Sequence, residues 1–154
     1  MKKYIISIAL ALIVGLIFGK FMLRQYNFEG KIIPVINNSR NAYFIQQGVY
    51  SSKESMEKNL KAIPYYIYVV DNEKYYVYIG ITFMNENVDK IKGYYEQKGY
   101  DIYVKQININ NENFSVVLEQ YDGLLKESSD PEVIGTICSQ VLNKYEELVL
   151  RNDS

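Results

Sequence analysis

Side chains able to do chemistry are few in this chain, and their types decide much. Among its 154 residues there is no histidine, which removes the commonest general base, the commonest zinc ligand and every nucleophile–histidine triad. Hydrolases of those kinds are excluded. The one cysteine, Cys138, can make neither an intramolecular disulfide nor a thiolate metal cluster, although it could bridge two chains. A small apolar residue on a buried helix face is its simpler role. A carboxylate pair could cleave a glycosidic bond, but Glu54, Glu57, Glu86 and Glu96 fall on the solvent faces of expected helices. The formal net charge of −1 argues against nucleic acid, whose binding relies on basic surface. No catalytic centre, metal site or cofactor is expected.

What the chain has in surplus is tyrosine, 16 of its 22 aromatic residues, with no tryptophan. A tyrosine offers apolar area with a wet hydroxyl end, which suits a half-exposed surface better than a deep core. The chemistry that such residues do is recognition, and the elements that carry them set its geometry.

Most of the tyrosines lie in strand-like runs between Tyr43 and Tyr103. The run YFIQQGVY, Tyr43 to Tyr50, leads into a helix start in which Ser51 and Glu54 make a capping-box pattern. Met56, Leu60 and Ile63 recur at helical spacing before Pro64. Tyr65 to Val70 and Tyr75 to Ile81 are two further strands, joined by the polar stretch Asp71 to Lys74 as an antiparallel hairpin. Asn85 caps a second helix whose Val88, Ile91 and Tyr95 share a face and which Gly99 ends. A fourth strand runs from Tyr100 to Ile107. The expected fold is α+β, a split β-α-β unit of order β-α-β-β-α-β, with a four-stranded antiparallel sheet and two helices on one face.

Alternation along the strands then assigns faces. With Ile45, Ile67, Val69, Val77, Ile79, Ile102 and Val104 toward the helices, the open face carries Phe44, Gln46, Tyr66, Tyr68, Tyr76, Tyr78 and Tyr103. That is an aromatic platform with an amide in it, the kind of surface that marks a binding site or another packed element. A slip of one residue in any strand would invert its set.

These residues resemble the SPOR (sporulation-related repeat) domain family. Its half-motif, an aromatic strand closing on a glycine before a helix, is similar to Tyr43-Phe44-Ile45-Gln46-Gln47-Gly48-Val49-Tyr50 and again to Tyr75-Tyr76-Val77-Tyr78-Ile79-Gly80. Lys98-Gly99-Tyr100-Asp101-Ile102 resembles the family's end of the second helix. The resemblance covers Tyr43 to Lys105. The closing aromatic of the second half arrives at Phe83, KESMEKNL lacks the helix alanine common in the family, and Gln47 stands where an inward apolar residue is usual, which implies either a bulge in the first strand or a locally poorer core. The resemblance implies binding to bacterial peptidoglycan, favouring denuded glycan strands, through the sheet face opposite the helices. Sugar rings rest their C–H faces on aromatic rings, and Gln46 would supply amide hydrogen bonds beside the tyrosines.

The flanks complete the organisation. Residues 1–3 form a short tail. Residues 4–23 are free of charge but for Lys20, long enough at about 1.5 Å per residue to cross roughly 30 Å of hydrocarbon. No A-x-A site follows, which favours an uncleaved signal anchor over a cleaved leader. Lysines and arginines on both sides leave orientation undecided by charge; the short tail fits a cytoplasmic N-terminus with the rest extracytoplasmic, in a single-pass protein of the cell membrane. Residues 24–41 read as a stalk, 42–107 as the SPOR-like domain and 110–150 as a C-terminal helical hairpin. In the hairpin, Phe114, Val117, Leu118, Tyr121, Leu124 and Leu125 form one stripe, Asp130-Pro131 restarts the helix, and Ile134, Ile137, Val141, Tyr145 and Leu148 form a second. Two such stripes leave apolar surface for the domain, a second copy, a partner protein or the open sheet face itself. The expected function is a non-catalytic, membrane-anchored peptidoglycan binder at sites of cell division or sporulation. The alternative is a septal or sporulation scaffold that binds proteins and no glycan.

Overall fold

Aromatic and β-branched runs broken by short polar turns build the sheet. A computed structural model describes residues 39–151; the expected anchor at 4–23 and most of the stalk lie outside them. Among the described residues no helix is long and apolar enough to cross a membrane. The order is β1 (Arg40–Tyr50), α1 (Lys53–Asn59), β2 (Ile67–Asp71), β3 (Lys74–Thr82), α2 (Asn85–Glu96), β4 (Tyr103–Ile109), α3 (Glu112–Glu127) and α4 (Pro131–Tyr145), which runs on into a π-helical turn at Glu146–Leu150. The fold is α+β: a four-stranded antiparallel sheet of order β2-β3-β1-β4, with four helices among the described residues.

Helix ends follow local chemistry. The α1 cap is Ser52, whose hydroxyl accepts from the Ser55 N–H at 3.2 Å, one residue later than the Ser51–Glu54 pattern suggests. Asn85 is the first residue of α2 and Met84 its cap; the turn before it is held by Thr82 Oγ1, which accepts from the Met84 N–H at 3.0 Å. Gly99 has φ +89°, the left-handed conformation that a residue without Cβ adopts freely. Asp130 caps α4, accepting from the Glu132 N–H at 2.9 Å, with proline at the first helical position.

β1 and β3 are the two inner strands. The register of β1 against β3 shifts on either side of Gln46, so that Gln47 is passed over between Gln46↔Tyr78 and Gly48↔Val77. Of the two outcomes left open at Gln47 the bulge is the one present, and the Tyr50 hydroxyl donates to Gln47 Oε1 at 2.8 Å. α2 lies on the face of Ile45: a Cβ added to its partner Gly80 would stand 3.1 Å from Ile91 Cγ2 and 3.4 Å from Ile45 Cγ1. The helix therefore approaches β3 closely enough that a side chain at position 80 would need Ile91 to give way by a few tenths of an ångström.

The C-terminal hairpin packs against the sheet and α2. α4 packs against β3, α2 and α3. Lys90 of α2 donates to the carbonyl oxygens of Leu125, Lys126 and Ser128 at 2.8, 2.8 and 2.7 Å, closing the end of α3, where carbonyls otherwise lack partners. Cys138 is buried, on the helix face expected of it.

Candidate functional site

The face opposite α2 is built from three cross-strand rows. Partners across a ladder share a face, so Ile67, Tyr78, Gln46 and Tyr103 form the middle row, Val69, Tyr76 and Val49 the row toward the β2–β3 turn, and Ile81, Phe44 and Lys105 the row toward the far end. Five of the seven expected residues, Phe44, Gln46, Tyr76, Tyr78 and Tyr103, do share this face.

The register puts Tyr68 on the other face and leaves Tyr66 outside the ladder. The β2–β3 hairpin has a two-residue turn, Asn72–Glu73, between the paired Asp71 and Lys74, and such a turn matches every even-numbered residue with an odd-numbered one. Tyr68 therefore opposes Val77 and lies on the other face, where its ring meets that of Tyr75 at 5.7 Å. Tyr66 precedes the strand and has no ladder partner, so the register assigns it to neither face. The same turn puts Ile67 and Val69, expected toward the helices, on the candidate face.

Burial divides the remaining five. Phe44 is 1 % exposed, and Gln46 and Tyr78 are 6 % exposed. Their cover includes the hairpin: a run of edge-to-face rings passes from Tyr78 to Phe44 (5.4 Å), from Phe44 to Tyr145 of α4 (5.3 Å) and from Tyr145 to Phe114 of α3 (5.0 Å). Phe44 is thus a core residue and not a ligand platform. Burial, with the neighbouring Tyr76 as a lesser cause, raises the pKa of the Tyr78 hydroxyl and keeps it a neutral phenol.

What stays accessible is a smaller patch. Tyr103 is 59 % exposed, with Val49 and Val69 exposed on the same face, and the Lys105 ammonium stands 4.5 Å from the centre of the half-buried Tyr76 ring. Such a cation–ring contact contributes on the order of 0.5–1 kcal/mol at an exposed site. Between Tyr103 and Tyr78 lies Gln46, whose Oε1 is buried without a hydrogen bond to any described residue. An unsatisfied buried carbonyl costs about 1–3 kcal/mol, so this oxygen is poised for a donor. Lys105, Val49 and Val69 were not among the expected site residues, although alternation in Tyr103-Val104-Lys105 puts Lys105 beside Tyr103. Among the described residues no three metal-ligating side chains come together.

Comparisons of the chain with models of known families, with characterised proteins and with solved structures find no match.

Proposed function

We propose that the chain is a non-catalytic, membrane-anchored module that binds denuded glycan strands of peptidoglycan at sites of cell division or sporulation. Residues 4–23 serve as anchor and the sheet domain is extracytoplasmic; α1 and α2 back the sheet on the face away from the glycan, as in the SPOR family that the sequence resembles. The observation that carries this reading is the exposed Tyr103 ring beside the buried, unsatisfied Gln46 Oε1. A sugar ring stacks its C–H face on Tyr103, and a hydroxyl or N-acetyl N–H donates to Gln46 Oε1 once a side-chain rotation brings that oxygen out of burial.

The test is retention of the full chain, in detergent, on purified sacculi with and without amidase treatment. Retention on treated sacculi only, lowered about tenfold by Tyr103→Ala, is expected; Tyr103 is exposed, so the variant keeps the fold. Undiminished retention of Tyr103→Ala would place the glycan elsewhere. Retention on neither preparation favours the scaffold reading, which has its own observation: Tyr68, Val69 and Val70 of the edge strand β2 are 37, 40 and 55 % exposed, an edge open to a partner's strand.

A further inference from the structure

Away from the sheet face, a groove of about 580 Å³ lies between α4, the Pro64–Tyr65 segment, Tyr94 of α2 and Tyr121 of α3. That volume is in the range of small-ligand sites. Three tyrosines line it, Tyr65 and Tyr94 half-buried and Tyr121 buried, and each is held in place. The Tyr65 hydroxyl donates to the Glu146 carboxylate at the start of the π-helical turn; burial first, and then this bond, pushes its pKa up to about 12, so it remains a neutral phenol. The Tyr121 hydroxyl donates to Gln140 Oε1 at 2.9 Å. Tyr94 has the Lys98 ammonium 4.6 Å from its ring centre and meets the Tyr95 ring edge-on at 4.8 Å. Walls fixed in this way lose little freedom when a ligand enters.

The polar lining is equally specific. The Gln140 carbonyl is taken by Tyr121, so Gln140 offers a ligand its amide N–H donors. The Ser139 hydroxyl donates to the Gly135 carbonyl at 3.0 Å, so its oxygen presents lone pairs. The one cation of the lining, Lys144, is bonded to Glu147 at 2.8 Å, and the one carboxylate, Glu132, is exposed at the helix start. Flat rings, outward donors and acceptors, and no uncompensated cation select a neutral ligand with ring faces and many hydroxyls. We infer that the α4 groove is a saccharide site for one or two neutral sugar rings, distinct from the sheet-face patch and independent of it.

Gly135 gives the site its test. A Cβ at this position would collide with the Tyr94 hydroxyl, reaching 2.9 Å from Tyr94 Cζ, so Gly135→Ala displaces the Tyr94 wall while changing one methyl. The experiment is amide chemical-shift mapping of the isotope-labelled full chain in lipid nanodiscs, titrated with chitobiose and, separately, maltose. Shifts concentrated at residues 135–144 are expected, with apparent affinity reduced at least tenfold by Gly135→Ala and by Tyr65→Phe and unchanged by Tyr103→Ala. Response to both sugars marks a general saccharide groove; response to chitobiose alone marks one for N-acetylated sugars such as wall glycan carries. No shifts at tens of millimolar of either sugar overturns the inference. Shifts that Tyr103→Ala abolishes and the groove variants leave intact overturn it equally, and assign the sugar to the sheet face.

Discussion

Asp122 shows how much one residue can organise. It is 3 % exposed, in the middle of α3, yet it accepts hydrogen bonds from the Thr82 hydroxyl, the Phe83 N–H at 2.7 Å and Asn87 Nδ2 at 3.2 Å. One carboxylate thereby ties the end of β3 and the first turn of α2 to the C-terminal hairpin. Burial is the largest influence on its pKa and outweighs the bonds, raising it. The folded chain then takes up this proton at a higher pH than the unfolded chain does, so the Asp122 contribution to stability rises as pH falls through the folded pKa toward the unfolded one. Asp122→Asn puts an amide N–H₂ among three donors and is expected to cost about 1–3 kcal/mol at pH 7. Urea unfolding of both chains between pH 7 and pH 4 checks the sign: the gap between wild type and variant should widen as pH falls, and a gap that narrows would mean that the bonds outweigh burial.

At the scale of elements, the β2–β3 turn decides most. Asn72 and Glu73 have φ +48° and +61°, the pair of left-handed conformations that a two-residue hairpin turn of matching twist demands. Asparagine tolerates this; glutamate pays about 1–2 kcal/mol for it. Glu73→Gly is expected to stabilise the fold by about 0.5–1 kcal/mol, the gain being trimmed by glycine's freedom in the unfolded chain, and thermal unfolding should show a raised Tm. The same turn explains where sequence sufficed and where it did not. The strands, the helices and the Asp130–Pro131 start were readable, because each is written in local periodicity or capping chemistry; the bulge at Gln47 was one of two outcomes that the departure from the family pattern left open. The placement of Tyr68 was not readable, because it depends on whether the turn holds two residues or three, and the polar stretch from Asp71 to Lys74 carries no glycine to fix that length. The hairpin's stripes announced that Phe114 and Tyr145 would be buried without naming their partner, since an amphipathic helix specifies a face and not what covers it.

For the molecule as a whole, the question is whether the hairpin is a removable partner of the sheet or part of its core. The ring sequence Tyr78–Phe44–Tyr145–Phe114 joins β3, β1, α4 and α3, and Phe44 and Phe114 have 1 % and 0 % exposure. Tyr145 is the link between the sheet rings and the hairpin rings. Tyr145→Ala removes edge-to-face contacts on both sides and leaves a cavity, and truncating a large buried aromatic typically costs about 3–5 kcal/mol. Two outcomes separate the alternatives. If the hairpin belongs to the core, the variant unfolds in one cooperative transition at a much lower urea midpoint, with amide exchange accelerated in β1 and β3 as well as in α3 and α4. If it is removable, the loss stays confined to residues 112–150 while the sheet amides keep their protection. The packing of α4 against both β3 and α2, together with the Asp122 and Lys90 bonds across the same junction, predicts the single transition. Of the expected residues that the register puts on the sheet face opposite α2, Tyr103 is then the one left exposed in the folded domain.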